Sequence, residues 1–325
     1  MNLTAAMPIA RRPALAAALL APLGRARAQS AFPDHPVRIV VPVTPGGAID
    51  ITARLLGERL SPKWKQPVVI ENRPGANNII GTEAVARAAA DGHTLGVSAV
   101  THAINVALYK LPFDPLRDLV TITLAYTVPL ILVAAPDFGP NNVGELIALA
   151  KSEPERVTFA GTGGAVHLAG EMFGLQAGAK LTHVPYRGST AAHPDLMSGR
   201  VDIMFDTLPA VLGYIRDGKL KALGTGSAKR TPVLPDLPTI SEAGLPGYEA
   251  TSWGVFFGPS GIPEPVLQQI NTDMVAALQE PSVKEKMAAL GAEIVGSDVA
   301  TAQAFMKSEV AKWSEVAAKI GLEKQ

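Results

Sequence analysis

The chain has 325 residues, with 29 basic and 29 acidic side chains and no cysteine. Without cysteine it has no thiol nucleophile, thiolate metal site or disulfide framework, and balanced charge leaves no concentrated basic surface for nucleic acid. Its length exceeds a usual single core, so two lobes are expected.

The first 28 residues read as a signal peptide. Arg11-Arg12 form a basic start, Pro13–Gly24 is apolar, and Ala26-Arg27-Ala28 fits an A-x-A cleavage pattern, with maturation near Gln29. The apolar stretch is too short to span a bilayer. The paired arginines followed by Leu15 suit a twin-arginine signal as well as ordinary secretion, and both routes lead to the periplasm. Losing arginines 11, 12, 25 and 27 leaves 25 basic against 29 acidic residues, a net charge of −4.

Val37–Val43 is an apolar run that reads as a buried strand. Pro45-Gly46-Gly47 breaks it, and from Asp50 a periodic segment sets Ile51, Leu55 and Leu56 on one face. Strand, glycine turn and helix leave backbone N–H groups unpaired at a helix start, where partial positive charge attracts anions. The same order returns in Val157–Phe173, VTFAGTGGAVHLAGEMF. Two such loops in one exported chain point to capture of a small carboxylate.

Strand patterns are expected at 37–43, 67–71, 94–98, 121–125, 130–134, 157–160, 182–185, 202–206, 221–225 and 249–257. Helical patterns lie at 50–60, 77–90, 143–152, 166–177, 189–198 and 208–217, followed by successive helices at 264–279, 281–290 and 298–320, with a short strand around Glu293–Val295. This alternation implies α/β architecture with mostly parallel sheets covered by helices. Residues 125–136 contain two apolar strands broken at Pro129, and a second lobe crossing is expected near Tyr248–Gly258. The expected division is lobe 1 at 33–132 and 254–325, lobe 2 at 133–253. Double crossings make hinges on which lobes close around a ligand.

Several segments together carry a family resemblance: PVTPGGAID, ENRPGANNIIGTEAVARAAADGHTL, VPYRGSTAAHPDLMSGRVDIMFD, GKLKALGTGSAKR, LPDLPTISEAGLPGYE and EVAKWSEV. Over about residues 33–323 the chain resembles the periplasmic substrate-binding proteins of tripartite tricarboxylate transporters, the Bug-type receptors. The resemblance implies a two-lobed periplasmic-binding-protein fold of type II kind, with a carboxylate held in the interlobe cleft and delivered to membrane permease subunits or to a sensor kinase. It departs from the family pattern at Val43, where Phe is usual, in the shorter loop before His167-Leu168, and at Asn77-Asn78.

By that resemblance, Thr44, Gly46, Gly47, Ala48 and Ile49 of the first loop contact a ligand carboxylate; the alternative is an ordinary tight turn. Asp50 is expected to cap the helix instead. The second loop offers Thr162, Gly163, Gly164 and His167, the histidine either touching ligand or packing. Ser98, Thr101 and Asn105 follow a strand end, where open α/β sheets place ligand groups, with Thr101 alternatively an N-cap for 102–107. Asp206 either meets a ligand polar group or caps the next helix. Arg187 either pairs with a distal carboxylate or is simply exposed, and Trp253 either walls the cleft or is buried core.

Histidines 35, 93, 102, 167, 183 and 193 show no H-E-x-x-H spacing, and G-x-S-x-G and a Walker lysine are missing. No catalytic residue, metal or cofactor is expected. The reading is a monomeric solute-binding receptor for a small organic carboxylate. The alternatives are a ligand-sensing receptor for a membrane kinase and, remotely, a secreted hydrolase.

Overall fold

The computed structural model describes Met1, residues 32–162 and 164–322, and Lys324. Contacts divide the chain into Met1–Ala31 and Phe32–Gln325, and every described helix and strand falls in the second unit. The leader assigned to 1–28 therefore lies, apart from Met1, outside the described residues.

The first half is built from strands β1 (Val37–Val41), β2 (Val68–Asn72) and β3 (Thr94–Ala99) with helices α1 (Ala48–Trp64), α2 (Ile79–Ala86) and α3 (Thr101–Leu108). β1 runs parallel between β2 and β3, and its residues are buried except Arg38, as the apolar run requires. A 16-residue strand, β4 (Leu119–Ala134), follows. The second half contributes α4 (Val143–Ser152), β5 (Thr158–Gly161), α5 (Gly164–Ala177), β6 (Thr182–Pro185), α6 (Ser189–Met197), β7 (Ile203–Thr207), α7 (Leu208–Arg216) and β8 (Lys221–Thr225). The chain returns through β9 (Thr251–Pro259) and closes with α8 (Glu264–Leu278), α9 (Pro281–Ala289), the short β10 (Glu293–Ile294) and α10 (Val299–Lys319).

Strand order is β2-β1-β3-β9-β4-β7-β5-β6, with β8 and β10 also on β4. The flanks, β2-β1-β3 and β7-β5-β6, are parallel, but the middle is antiparallel: β9 pairs with both β3 and β4, and β4 with β7 and β8. This corrects the expectation of mostly parallel sheets and of a strand break at Pro129. β4 continues through Pro129, which pairs with Thr251 at the end of the β9 ladder. From Leu130 onward its partners are β7 and β8. A proline has no N–H to give a ladder, and here it stands where one set of partners gives way to the other.

Three apolar clusters cover this sheet. One gathers α1 and α8 on β1 and β3, through Leu56, Leu60, Val97 and Met274. Another sits under α6 and α7, through Leu196, Val211 and Met204. The third runs between them and includes Ile104 of α3, Leu168 of α5 and Met306 of α10. α10 is capped by Asp298, whose side chain accepts from the Thr301 amide, and it contacts α3, β4 and α5. The buried Glu309 of α10 accepts from Trp253 Nε1 at 2.7 Å and Trp313 Nε1 at 3.0 Å and pairs with Lys312. Each indole thus has its donor satisfied, as burial demands.

Candidate functional site

The clearest concavity lies between α3 and the start of α5. It has a volume of about 590 Å³ and is lined by Asn77, Thr101, Asn105, Tyr109, Thr162, Gly164 and His167, among others. It is larger than the cavities beside Glu171 and Lys180, about 400 Å³, and beside Leu116 and Lys307, about 520 Å³. The structure therefore gathers Thr101, Asn105, Thr162, Gly164 and His167 around one space; Gly163 is outside the described residues.

Local structure explains this wall. β5 ends at Gly161 and α5 begins at Gly164, which has φ +54°. This left-handed conformation is one that glycine adopts without steric cost, and it turns the chain sharply into the helix. The first-turn amides of α5 have no partner within the helix, and the helix dipole adds partial positive charge there. The structure is therefore receptive to an anion at this end of the cavity.

The facing wall is made by an unusual turn. Gly75, Ala76, Asn77 and Asn78 all have positive φ, at 138°, 44°, 50° and 74°. Three of them are not glycine, so the turn carries backbone strain. Side chains hold it: Asn105 Nδ2 donates to Asn77 O at 2.7 Å, and Asn77 Nδ2 donates to Tyr109 Oη at 2.6 Å. Asn77 and Tyr109 were not among the sequence-derived candidates. The Asn77-Asn78 departure in the sequence was the available signal, since asparagine tolerates left-handed backbone better than most residues.

The first loop is built differently. Gly46 donates its amide to Asp50 Oδ2 at 3.0 Å, which corrects its assignment as a ligand donor. Asp50 also accepts from Arg54 Nε at 2.9 Å and Asn72 Nδ2 at 2.9 Å. The hydrogen bond from Arg54 holds the Asp50 carboxyl down at about 2. The first backbone bond of α1 is Ile51 N–H to Gly47 O, so the Ala48 and Ile49 amides precede the helical ladder. Thr44, Gly46 and Gly47 are exposed and Ala48 and Ile49 half-buried, and none of them lines the 590 Å³ cavity.

Three other candidates are turned away from open space. Trp253 is fully buried and bonded to Glu309, so it is core and not a cleft wall. Asp206 is buried, accepting from the Thr207 amide at 2.7 Å and lying 2.9 Å from His193 Nε2. It therefore meets a buried histidine and the first amide before α7 rather than the cavity. Ser98 is buried on β3 with no hydrogen-bond partner for its hydroxyl. Arg187 is exposed after β6 and has no ion pair among the described residues. His102 is buried against Phe257, and burial lowers its pKa to about 4, so it is neutral core.

A strand-linked pair of α/β halves with a polar cavity opposite a glycine-rich helix start defines a two-lobed solute-binding receptor of the periplasmic-binding-protein class. The chain belongs to the tripartite tricarboxylate transporter family receptors, whose family model matches residues 52–322. It is 37% identical over 295 residues to Protein BugT of Bordetella pertussis, covering 89% of this chain and 90% of that one. Among solved structures, it is similar to Rpa4515 of R. palustris with adipate: 35% identity, TM-score 0.72, 90% of this chain and 100% of that chain. MatC of Rhodopseudomonas palustris with bound malate matches at 31% identity and TM-score 0.68, over 88% and 99% of the two chains. No described helix is long and apolar enough to cross a membrane.

Proposed function

We propose that this receptor captures a small organic carboxylate in the cavity between α3 and the start of α5, in the periplasm, and presents it as a monomer to membrane permease subunits without catalysing a reaction. The observation that carries this is the pairing of the α5 start with the Asn77–Asn105–Tyr109 wall around one 590 Å³ space. Helix-start amides suit a carboxylate. The opposite amide and phenol groups suit the rest of a polar acid. Related receptors with adipate and malate support the ligand class. The Ala48 and Ile49 amides, which precede the α1 ladder, and the exposed Arg187 are further candidates for a ligand carboxylate when the lobes approach. The lobes are read as the two sheet halves, meeting where β4 changes partners after Pro129 and where β9 begins at Thr251. That junction lies just ahead of the expected 132/133 and 253/254 boundaries.

Calorimetry with adipate, malate and the neutral diamide of adipate tests the reading. At least one acid should bind and the diamide should not. Thr162→Ala should weaken acid binding about two- to tenfold, the effect of one hydrogen bond worth ~0.5–1.5 kcal/mol. Equal binding of the diamide, or unchanged affinity in both Thr162→Ala and Asn105→Ala, would refute the site.

A further inference from the structure

Behind the second loop, three side chains converge that the cavity does not use together. His167 and Glu171 lie one turn apart on α5 and therefore on one face, with His167 Nε2 at 3.1 Å from Glu171 Oε1. His183 comes from β6, which runs beside β5 with His183 paired to Phe159. Its ring stacks on His167 at 4.0 Å between centroids and on Phe159 at 5.1 Å. One donor atom from each of His167, Glu171 and His183 falls within 4.8 Å of the other two.

The His183 ring is set into the backbone. A Cβ on Gly161 would stand 2.2 Å from His183 Nε2, so the missing side chain at Gly161 is what admits the ring. That Nε2 is nevertheless buried with no hydrogen-bond partner. A buried polar atom left alone calls for an explanation. A neutral imidazole with a free lone pair is the form in which histidine ligates a metal.

The geometry points to a divalent transition-metal site formed by His167, Glu171 and His183, of the kind that takes zinc. Two imidazoles and one carboxylate are a recognised donor set for zinc with an open fourth position, and imidazole favours zinc, copper or nickel over calcium or magnesium. The donors must close to about 3.4 Å from one another to sit at ~2.0–2.2 Å from a shared ion. Side-chain torsions of the half-buried His167 and Glu171 on α5 supply that movement toward the fixed His183 ring, splaying the present stack. Access exists from the outside, because Glu171 also lines the separate 400 Å³ cavity with Glu155 and Lys180. His167 lines the ligand cavity on the other side. A bound ion would therefore tie β6 to α5 directly behind the second loop. The Asp34–His35–His93 group is a weaker arrangement, since Asp34 and His35 are both exposed.

Calorimetric titration of zinc chloride into the untagged, chelator-treated full chain reads this site. One equivalent should bind per chain at micromolar zinc. His183→Phe preserves the stack on Phe159 and removes the lone pair, and it should abolish that binding. Glu171→Gln keeps an acceptor for His167 but no charge, and it should weaken binding by about tenfold or more, at least the loss seen for outer-shell partners. Circular dichroism confirms that each variant is folded, and the Asp34–His35–His93 group stays intact in all of them. No zinc binding by the unaltered chain, or zinc affinity within threefold of it in both variants, would overturn the assignment. Neither readout involves a carboxylate ligand, so it stands or falls apart from the proposed receptor function.

Discussion

Replacing Asp50 by asparagine tests how the first loop is held. Asp50 is 2% exposed, yet its carboxylate receives four donors: the Gly46 amide, Arg54 Nε, Arg54 Nη2 at 3.0 Å and Asn72 Nδ2. Hydrogen bonding from Arg54, above all, lowers its pKa from 3.8 to about 2. A difference of that size corresponds to ~2 kcal/mol of folding free energy. Arg54 is half exposed, and solvent screening brings the expected contribution to ~1–2 kcal/mol. The folded pKa lies below the unfolded one, so the contribution is complete above about pH 4 and fades as pH falls through about 2. Urea unfolding at pH 7 should show Asp50→Asn less stable by ~1–2 kcal/mol, and the gap should shrink by about half at pH 3. An equal gap at both pH values would show that the loss is steric and refute the charge argument; no gap at pH 7 would refute the whole arrangement.

Gly161→Ala should lower the thermal midpoint, with ~1–3 kcal/mol lost to overpacking, because His183 is sandwiched between Phe159 and His167 and cannot swing freely from the new methyl. Trp253→Phe keeps a ring against Phe305 but removes a donor from the buried Glu309, and chemical denaturation should show ~1–3 kcal/mol of destabilisation. Asn77→Val forces a β-branched residue into φ 50°, and should cost ~1–2 kcal/mol, whereas Asn77→Gly should not; equal urea midpoints for the two variants would show that the turn is unstrained.

Much of the fold was legible because burial writes itself into local pattern. The run VRIVV became β1, and the helical pattern at 143–152 became α4, whose start the structure shows capped by the Asn142 side chain accepting the Glu145 amide at 2.9 Å. What escaped was long-range pairing. An apolar strand reads the same whether its neighbours run parallel or antiparallel, so β9 lying between β3 and β4 left no trace in composition. Proline weakens ladders, so Pro129 reads as a break, yet a strand that exchanges partners at that residue loses little there.

The site divides on the same principle. Glycine turns before helices are local, so Gly161–Gly164 was found from sequence; Asp50, expected as the cap of α1, instead lies inside that helix, whose N-cap is Gly47 without a side-chain bond, and holds the Gly46 amide and Arg54. Whether a polar side chain faces a cavity depends on what packs over it. Trp253 and Asp206 were consumed by Glu309 and His193, residues 56 and 13 positions away. Asn77 and Tyr109, separated by 32 positions, meet only because α3 folds back onto the 75–78 turn. The same reasoning explains the histidines. His167 and Glu171 have a helical spacing visible in HLAGE, but their third neighbour, His183, arrives through the parallel pairing of β5 with β6, and the room for its ring is made by Gly161. A search for motifs along the chain finds only clusters whose members are close in sequence; here the sheet, by placing Phe159 beside His183, assembles one whose members are not.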